Sequence, residues 1–131
     1  MRLLLDTHIW LWSLLEPERL TAPVEDSLTD PGAEIWLSPI SVWETLVLAH
    51  KGRIRLDPSP AEWIDRQLRA TPMRDAPLSR SVAVESRQVD LVHDDPADRF
   101  LAATALVYDL VLVTGDRRLM DCPSMKVLAN R

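Results

Sequence analysis

Four acids stand where carboxylates could act together on a cation: Asp6, Glu44, Asp98 and Asp116. Asp6 ends the apolar run Arg2-Leu3-Leu4-Leu5, and Asp116 follows Val111-Leu112-Val113-Thr114 and Gly115. Glu44 and Asp98 each fall in the first turn expected of a helix. Carboxylates that converge on one place repel one another unless something cationic sits between them. Hard divalent ions meet that need. Mg²⁺ and Mn²⁺ take oxygen ligands, keep several waters and are shared between a few carboxylates and substrate phosphates.

Each acid also has a structural reading. A carboxylate in the first turn of a helix is favoured by the dipole by roughly 0.3 to 1 kcal/mol, so Glu44 and Asp98 taken singly are as well explained as helix-start residues. Asp6 could cap the helix that follows it, and Asp116 could open a turn with Gly115. In His93-Asp94-Asp95-Pro96-Ala97-Asp98-Arg99, Asp95 precedes a proline suited to a first helical position and reads as the N-cap. Asp94 reads as solvent-facing, and Asp98 shares a helix face with Leu101, Ala102 and Ala105. The coincidence of four acids, not any one of them, raises the case for a site.

The elements that must position them follow from the apolar periodicity. Residues 2–5 predict a buried strand feeding a helix through Trp10, Leu11, Leu14 and Leu15. Residues 20–28 predict a helix with Pro23 in its first turn, closed by Asp30-Pro31-Gly32, and 35–38 a second buried strand. Ser41 with Glu44 three residues on has capping-box spacing, predicting a helix from Ser41 to about Lys51 that Gly52 stops. Further helices are expected over 60–70, 79–89 and 95–108, with a weak extended piece at 73–78. Residues 110–114 give the clearest strand, and 125–128 a short last one. Strands alternating with helices predict an α/β fold, a central and mainly parallel sheet flanked by helices in three layers, with ligands at the carboxyl ends of the strands. Asp6 and Asp116 both sit at such ends.

The bulk numbers bound the rest. A chain of 131 residues, 47% hydrophobic, fits a single domain over 1–131 with room for a core. The apolar start MRLLLDTHIWLWSLL superficially resembles a signal peptide, but Asp6 and His8 interrupt it and no small-residue cleavage site follows. No run approaches the roughly 20 apolar residues that span a bilayer, so no membrane partner is expected. The single cysteine, Cys122, excludes an intramolecular disulfide and predicts a reduced, cytoplasmic setting. A formal charge of −5 counts against an ordinary nucleic-acid binder. That objection weakens if Asp6, Glu44, Asp98 and Asp116 hold cations, because setting them aside leaves 16 acids against 15 bases.

The segments LLLDTHIWLW, SPISVWETLVLAHKGRIRL, HDDPADRFLAATA and LVLVTGD, in this order and spacing, resemble the four motif blocks of PIN-domain ribonucleases, in particular the VapC toxins of bacterial toxin–antitoxin pairs. The resemblance implies a PIN-like fold and an endoribonuclease using Mg²⁺, with Mn²⁺ able to substitute. It also implies a homodimer silenced by a VapB-type antitoxin. Carried over position by position, the four family acids fall on Asp6, Glu44, Asp98 and Asp116 as metal-holding catalytic residues, with Thr114 as a supporting hydroxyl. The third block is usually His-x-Asp-Pro-Phe-Asp-Arg. His93, Asp95, Pro96, Asp98 and Arg99 match it, and Ala97 replaces the Phe. Relatives often carry Lys four residues after the second acid, where this chain has Leu48, so any such role falls to Lys51 or an arginine or is absent.

Other residues draw structural readings first. His93 reads as a surface or capping group, and Arg99 as the partner of a carboxylate. The five tryptophans read as core, although Trp10 and Trp12 on the first helix could serve an antitoxin groove or dimer surface. Two competing functions fit these residues less well. A phosphatase using Asp6 as nucleophile would want a second Asp at position 8, which is His8, and a non-catalytic PIN-fold binding module would not need all four acids.

Overall fold

A computed structural model describes residues 1–131. The chain alternates strands and helices: β1 (Arg2–Leu5), α1 (Thr7–Leu15), a 3-10 turn (Pro17–Arg19), α2 (Ala22–Thr29), β2 (Glu34–Leu37), α3 (Pro39–His50) and α4 (Pro60–Ala70). There follow β3 (Arg74–Asp75), α5 (Arg80–Gln88), α6 (Pro96–Val107), β4 (Val111–Thr114), α7 (Arg117–Met120) and β5 (Val127–Ala129). The five strands form one sheet in the order β3-β2-β1-β4-β5, parallel throughout. From β1 the chain winds outward to β2 and β3, then returns to place β4 on the other side of β1. The β1/β4 boundary is therefore the topological switch point, where open parallel sheets place their ligands.

The central strands are buried on both faces, as helix-covered parallel strands must be. Side chains alternate across the sheet, so Leu4 and Leu112 enter one core with Leu101, Ala102 and Ala105 of α6. Leu3, Leu5 and Val113 enter the other, with Ile9 and Trp10 of α1, Val24 of α2 and Ile64 of α4. The alanine face of α6 lets that helix lie close against the sheet, as its Asp98-Leu101-Ala102-Ala105 stripe predicted.

Helix starts use short polar caps. Ser59, Ser79 and Asp95 accept from the backbone N–H three residues on, at 3.2 to 3.3 Å. The expected cap of α3 is corrected: Ser38, not Ser41, takes that place, its Oγ accepting from Ile40 N at 3.1 Å. Pro39 has φ preset for helix and no N–H to satisfy, so the helix begins directly after β2. Glu44 accordingly lies beyond the first turn. Gly52 ends this helix region with φ +73°, a conformation open to glycine. Smaller differences are that α2 begins at Ala22, that β5 runs to Ala129, and that the short α7 was not expected. No helix is long and apolar enough to cross a membrane.

Candidate active site

Asp6, Glu44, Asp98 and Asp116 line one cleft of about 370 Å³ at the carboxyl end of the sheet, together with His8, Trp12, Asp95, Gly115 and Arg118. Parallel register brings the first and last acids together. Leu5 of β1 faces Val113 of β4, and Asp6 N donates to Val113 O at 3.0 Å, so the residues one step further on meet side by side. There Thr114 Oγ1 donates to Asp6 Oδ2 at 2.6 Å and accepts from Asp116 N at 3.0 Å. Thr114 thus ties Asp6 to the loop that carries Asp116, and it is fully buried.

Glu44 arrives from α3 and is held by the residue next to Asp6. Thr7 Oγ1 donates to Glu44 Oε1 and lies 2.9 Å from Ser41 Oγ. Ser41, displaced from the capping role, is buried one turn before Glu44 and faces Thr7. Asp98 comes from the first turn of α6, where Asp95 caps its backbone N–H at 3.2 Å. Its Oδ2 pairs with His93 Nε2 at 2.8 Å, which corrects the reading of His93 as a surface or capping group. Asp116 caps α7, accepting from Arg118 N at 2.9 Å and pairing with the Arg118 guanidinium at 3.0 Å.

Arg99 has a structural role, but its partners are carbonyls instead of a carboxylate. Nearly buried, it donates to Ser86 O, Val89 O, Leu91 O and His93 O at 2.7 to 3.1 Å. One guanidinium therefore shapes the whole α5–α6 connection and sets His93 beside Asp98. Asp94 is exposed and paired with Arg87. Cys122 is buried, its thiol 3.2 Å from Asp90 O.

The electrostatics follow from this crowding. Burial pushes the Asp6 carboxyl above its ordinary range, with the Thr114 hydrogen bond opposing and the charge of Asp98 adding to the rise. Glu44 is raised by burial, against the pull of Thr7 and with the charges of Asp6, Asp98 and Asp95. Asp98 is raised by burial too, His93 opposing and Asp95 and Asp116 contributing. Asp116 alone among the four is lowered, because Arg118 hydrogen-bonds to it. A divalent cation would relieve this mutual repulsion, and the donors are all hard oxygens. In this side-chain arrangement no three Asp, Glu, His or Cys groups are gathered tightly enough around one point to cage an ion by themselves.

A second groove, of about 510 Å³, adjoins the cleft through the shared residues His8 and Trp12. Leu48 and Leu11 both line it, and Arg53 and Arg55 supply its positive charge, whereas Lys51 does not line it. Trp10 is only 1% exposed and belongs to the core, so of the two helix-α1 tryptophans only Trp12 reaches these surfaces. The sequence pattern marked Ser41 only as a cap and gave no site role to Thr7 or Arg118. Thr7 and Arg118 lie within two residues of a predicted acid, a proximity that was their only signal.

A model of the PIN domain matches residues 3–123. Ribonuclease VapC22 of Mycobacterium tuberculosis (strain ATCC 25618 / H37Rv) is 34% identical over 117 residues, covering 88% of each chain. Among solved structures, VapBC2 from Rickettsia felis bound to a promoter DNA fragment superposes with a TM-score of 0.75 at 15% identity, covering 98% of each chain. DNA-bound VapBC from Salmonella typhimurium superposes with a TM-score of 0.71 at 17% identity, covering 100% of this chain and 99% of that one. The two structural likenesses bear on the fold.

Proposed function

The chain belongs to the PIN-domain family, and from that premise we propose that it is a divalent-metal-dependent endoribonuclease, the toxin of a VapBC-type toxin–antitoxin pair. The observation that carries this reading is the convergence of Asp6, Glu44, Asp98 and Asp116 on one cleft at the switch point of the sheet. The similarity to a ribonuclease over 88% of the chain supports RNA as the substrate. The likeness to VapBC complexes supports a VapB-type antitoxin as the partner, and the family reading adds a homodimer and work in the cytoplasm.

Asp6 is the most central ligand in this reading, because it is the most buried of the four and is reached by both Thr114 and the charge of Asp98. Asp98 and Glu44 flank it, and Asp116 closes the set through Thr114. Bound Mg²⁺ or Mn²⁺ would polarise a non-bridging phosphate oxygen and lower the pKa of an attacking water. The chain's own residues do the positioning. Thr114 orients the Asp6 carboxylate, Thr7, itself in contact with Ser41, holds Glu44 at the cleft wall, and His93 fixes Oδ2 of Asp98. Partners behind a ligating carboxylate set its direction in this way. Arg53 and Arg55 in the adjoining groove offer charge for the flanking RNA phosphates.

The test is Mn²⁺-dependent cleavage of total RNA by the full chain purified free of antitoxin, beside Asp6→Asn. Cleavage by the wild type alone is expected. Equal activity of the two proteins, or a metal-loaded wild type that leaves RNA intact, would overturn the assignment.

A further inference from the structure

Arg118 is the single Arg or Lys among the residues lining the carboxylate cleft. Its guanidinium grips Asp116 through two nitrogens, Nε to Oδ1 at 3.3 Å and Nη2 to Oδ2 at 3.0 Å. The same Nη2 lies 3.5 Å from Asp98 Oδ2, so one group spans two of the four acids. Its position follows from local structure, since Asp116 caps α7 and Arg118 is the second residue of that helix. Neither carboxylate is otherwise fully served. His93 meets the same Oδ2 of Asp98, and Arg118 brings the only side-chain partner of Asp116. The Arg118 side chain is 58% exposed, so it can leave this place without opening the core.

Resting on the nuclease reading above, we infer that Arg118 is an internal stand-in for the divalent cation and is exchanged for it. In the metal-free chain it offsets the charge of Asp116 and Asp98. Arrival of a cation satisfies those carboxylates, and the guanidinium is released at the rim of the same cleft. There it takes a phosphate oxygen of the RNA, for which a guanidinium's paired N–H groups are well shaped. The arginine thereby sets both how tightly the site holds metal and how well it holds substrate. No covalent bond is made or broken in the exchange.

Isothermal titration of the antitoxin-free full chain with Mg²⁺, and separately with Mn²⁺, reads the first half without RNA. Arg118→Gln should bind either ion about two- to fivefold more tightly than wild type, the range of one partly exposed ion pair. The difference should shrink as KCl is raised. Arg118→Lys, which keeps the charge and loses the two-nitrogen grip, should fall between them and guards against a folding defect in the first variant. Steady-state cleavage of an oligoribonucleotide at saturating Mn²⁺ reads the second half, where Arg118→Gln should raise KM about tenfold and change kcat less. Metal affinity equal to or weaker than wild type in Arg118→Gln would overturn the exchange, as would a wild-type chain that takes up no divalent ion. Tighter metal with an unchanged KM would overturn the transfer to phosphate. A wild type that binds metal but cuts no RNA would instead refute the nuclease reading.

Discussion

Thr114 Oγ1 and Asp6 Oδ2 lie 2.6 Å apart although 108 residues separate them in the chain. The contact joins the ends of β1 and β4 at the switch point of the sheet and gives the most buried acid of the cleft its only side-chain donor. Thr114→Val keeps the shape, removes that donor and strands Asp116 N. Urea unfolding at pH 7 should show a loss of about 1 to 3 kcal/mol, and Thr114→Ser should recover most of it.

Asp6, Glu44 and Asp98 all have carboxyls raised in the folded chain, chiefly by burial. An acid whose folded pKa lies above its unfolded one adds stability below the unfolded value and loses it as pH rises through the folded value. The metal-free protein should therefore melt at a lower temperature at pH 8 than at pH 5. Mg²⁺ should restore more at pH 8 than at pH 5, because it binds the ionised form. Asp6→Asn should raise the metal-free melting temperature at pH 8. A melting temperature that climbs from pH 5 to pH 8 without metal would contradict the crowding argument.

Asp95 and Asp98, three residues apart, should fail in opposite ways. Asp98→Asn keeps the size of the side chain at the cleft and should abolish cleavage with little change in stability. Asp95→Ala removes the cap of α6 and should cost roughly 0.5 to 2 kcal/mol in unfolding free energy. Paired melting curves and cleavage assays decide between this and the reverse assignment.

His93 acts through Asp98, so its loss should be felt in the chemistry more than in the fold. His93→Ala should lower the cleavage rate or the metal affinity about 10- to 100-fold, the range found when partners behind metal ligands are removed. Circular dichroism should be unchanged.

Arg99 should show the opposite balance. Arg99→Met removes the guanidinium donor shared by four carbonyl groups in the α5–α6 connection, Val89 O keeping only Leu91 N, and unfolding should show a loss of at least about 2 kcal/mol. Arg99→Lys should not rescue it, since one ammonium cannot reach four divergent oxygens.

Helix α3 marks where local pattern stops. Ser41-x-x-Glu44 has the local spacing of a capping box. Ser38 takes the cap because β2 ends at Leu37 and the chain turns into helix at Pro39, while Ser41 and Glu44 engage Thr7 inside the cleft. His93 departs from expectation for a related reason. A position before a helix is commonly a surface one, and here Arg99 binds the His93 carbonyl while the ring meets Asp98.

The alternation of strands and helices, the α/β class and the four candidate acids are legible in the residues alone. Those depend on periodicity, caps and apolar runs, which act over a few residues. That β1 and β4 lie side by side in parallel register, that Thr114 therefore meets Asp6, and that Arg118 spans Asp116 and Asp98 emerge with the packed fold. Such pairings depend on strand order and on the path of α6 across the sheet. Long-range packing selects both, and no local propensity encodes them.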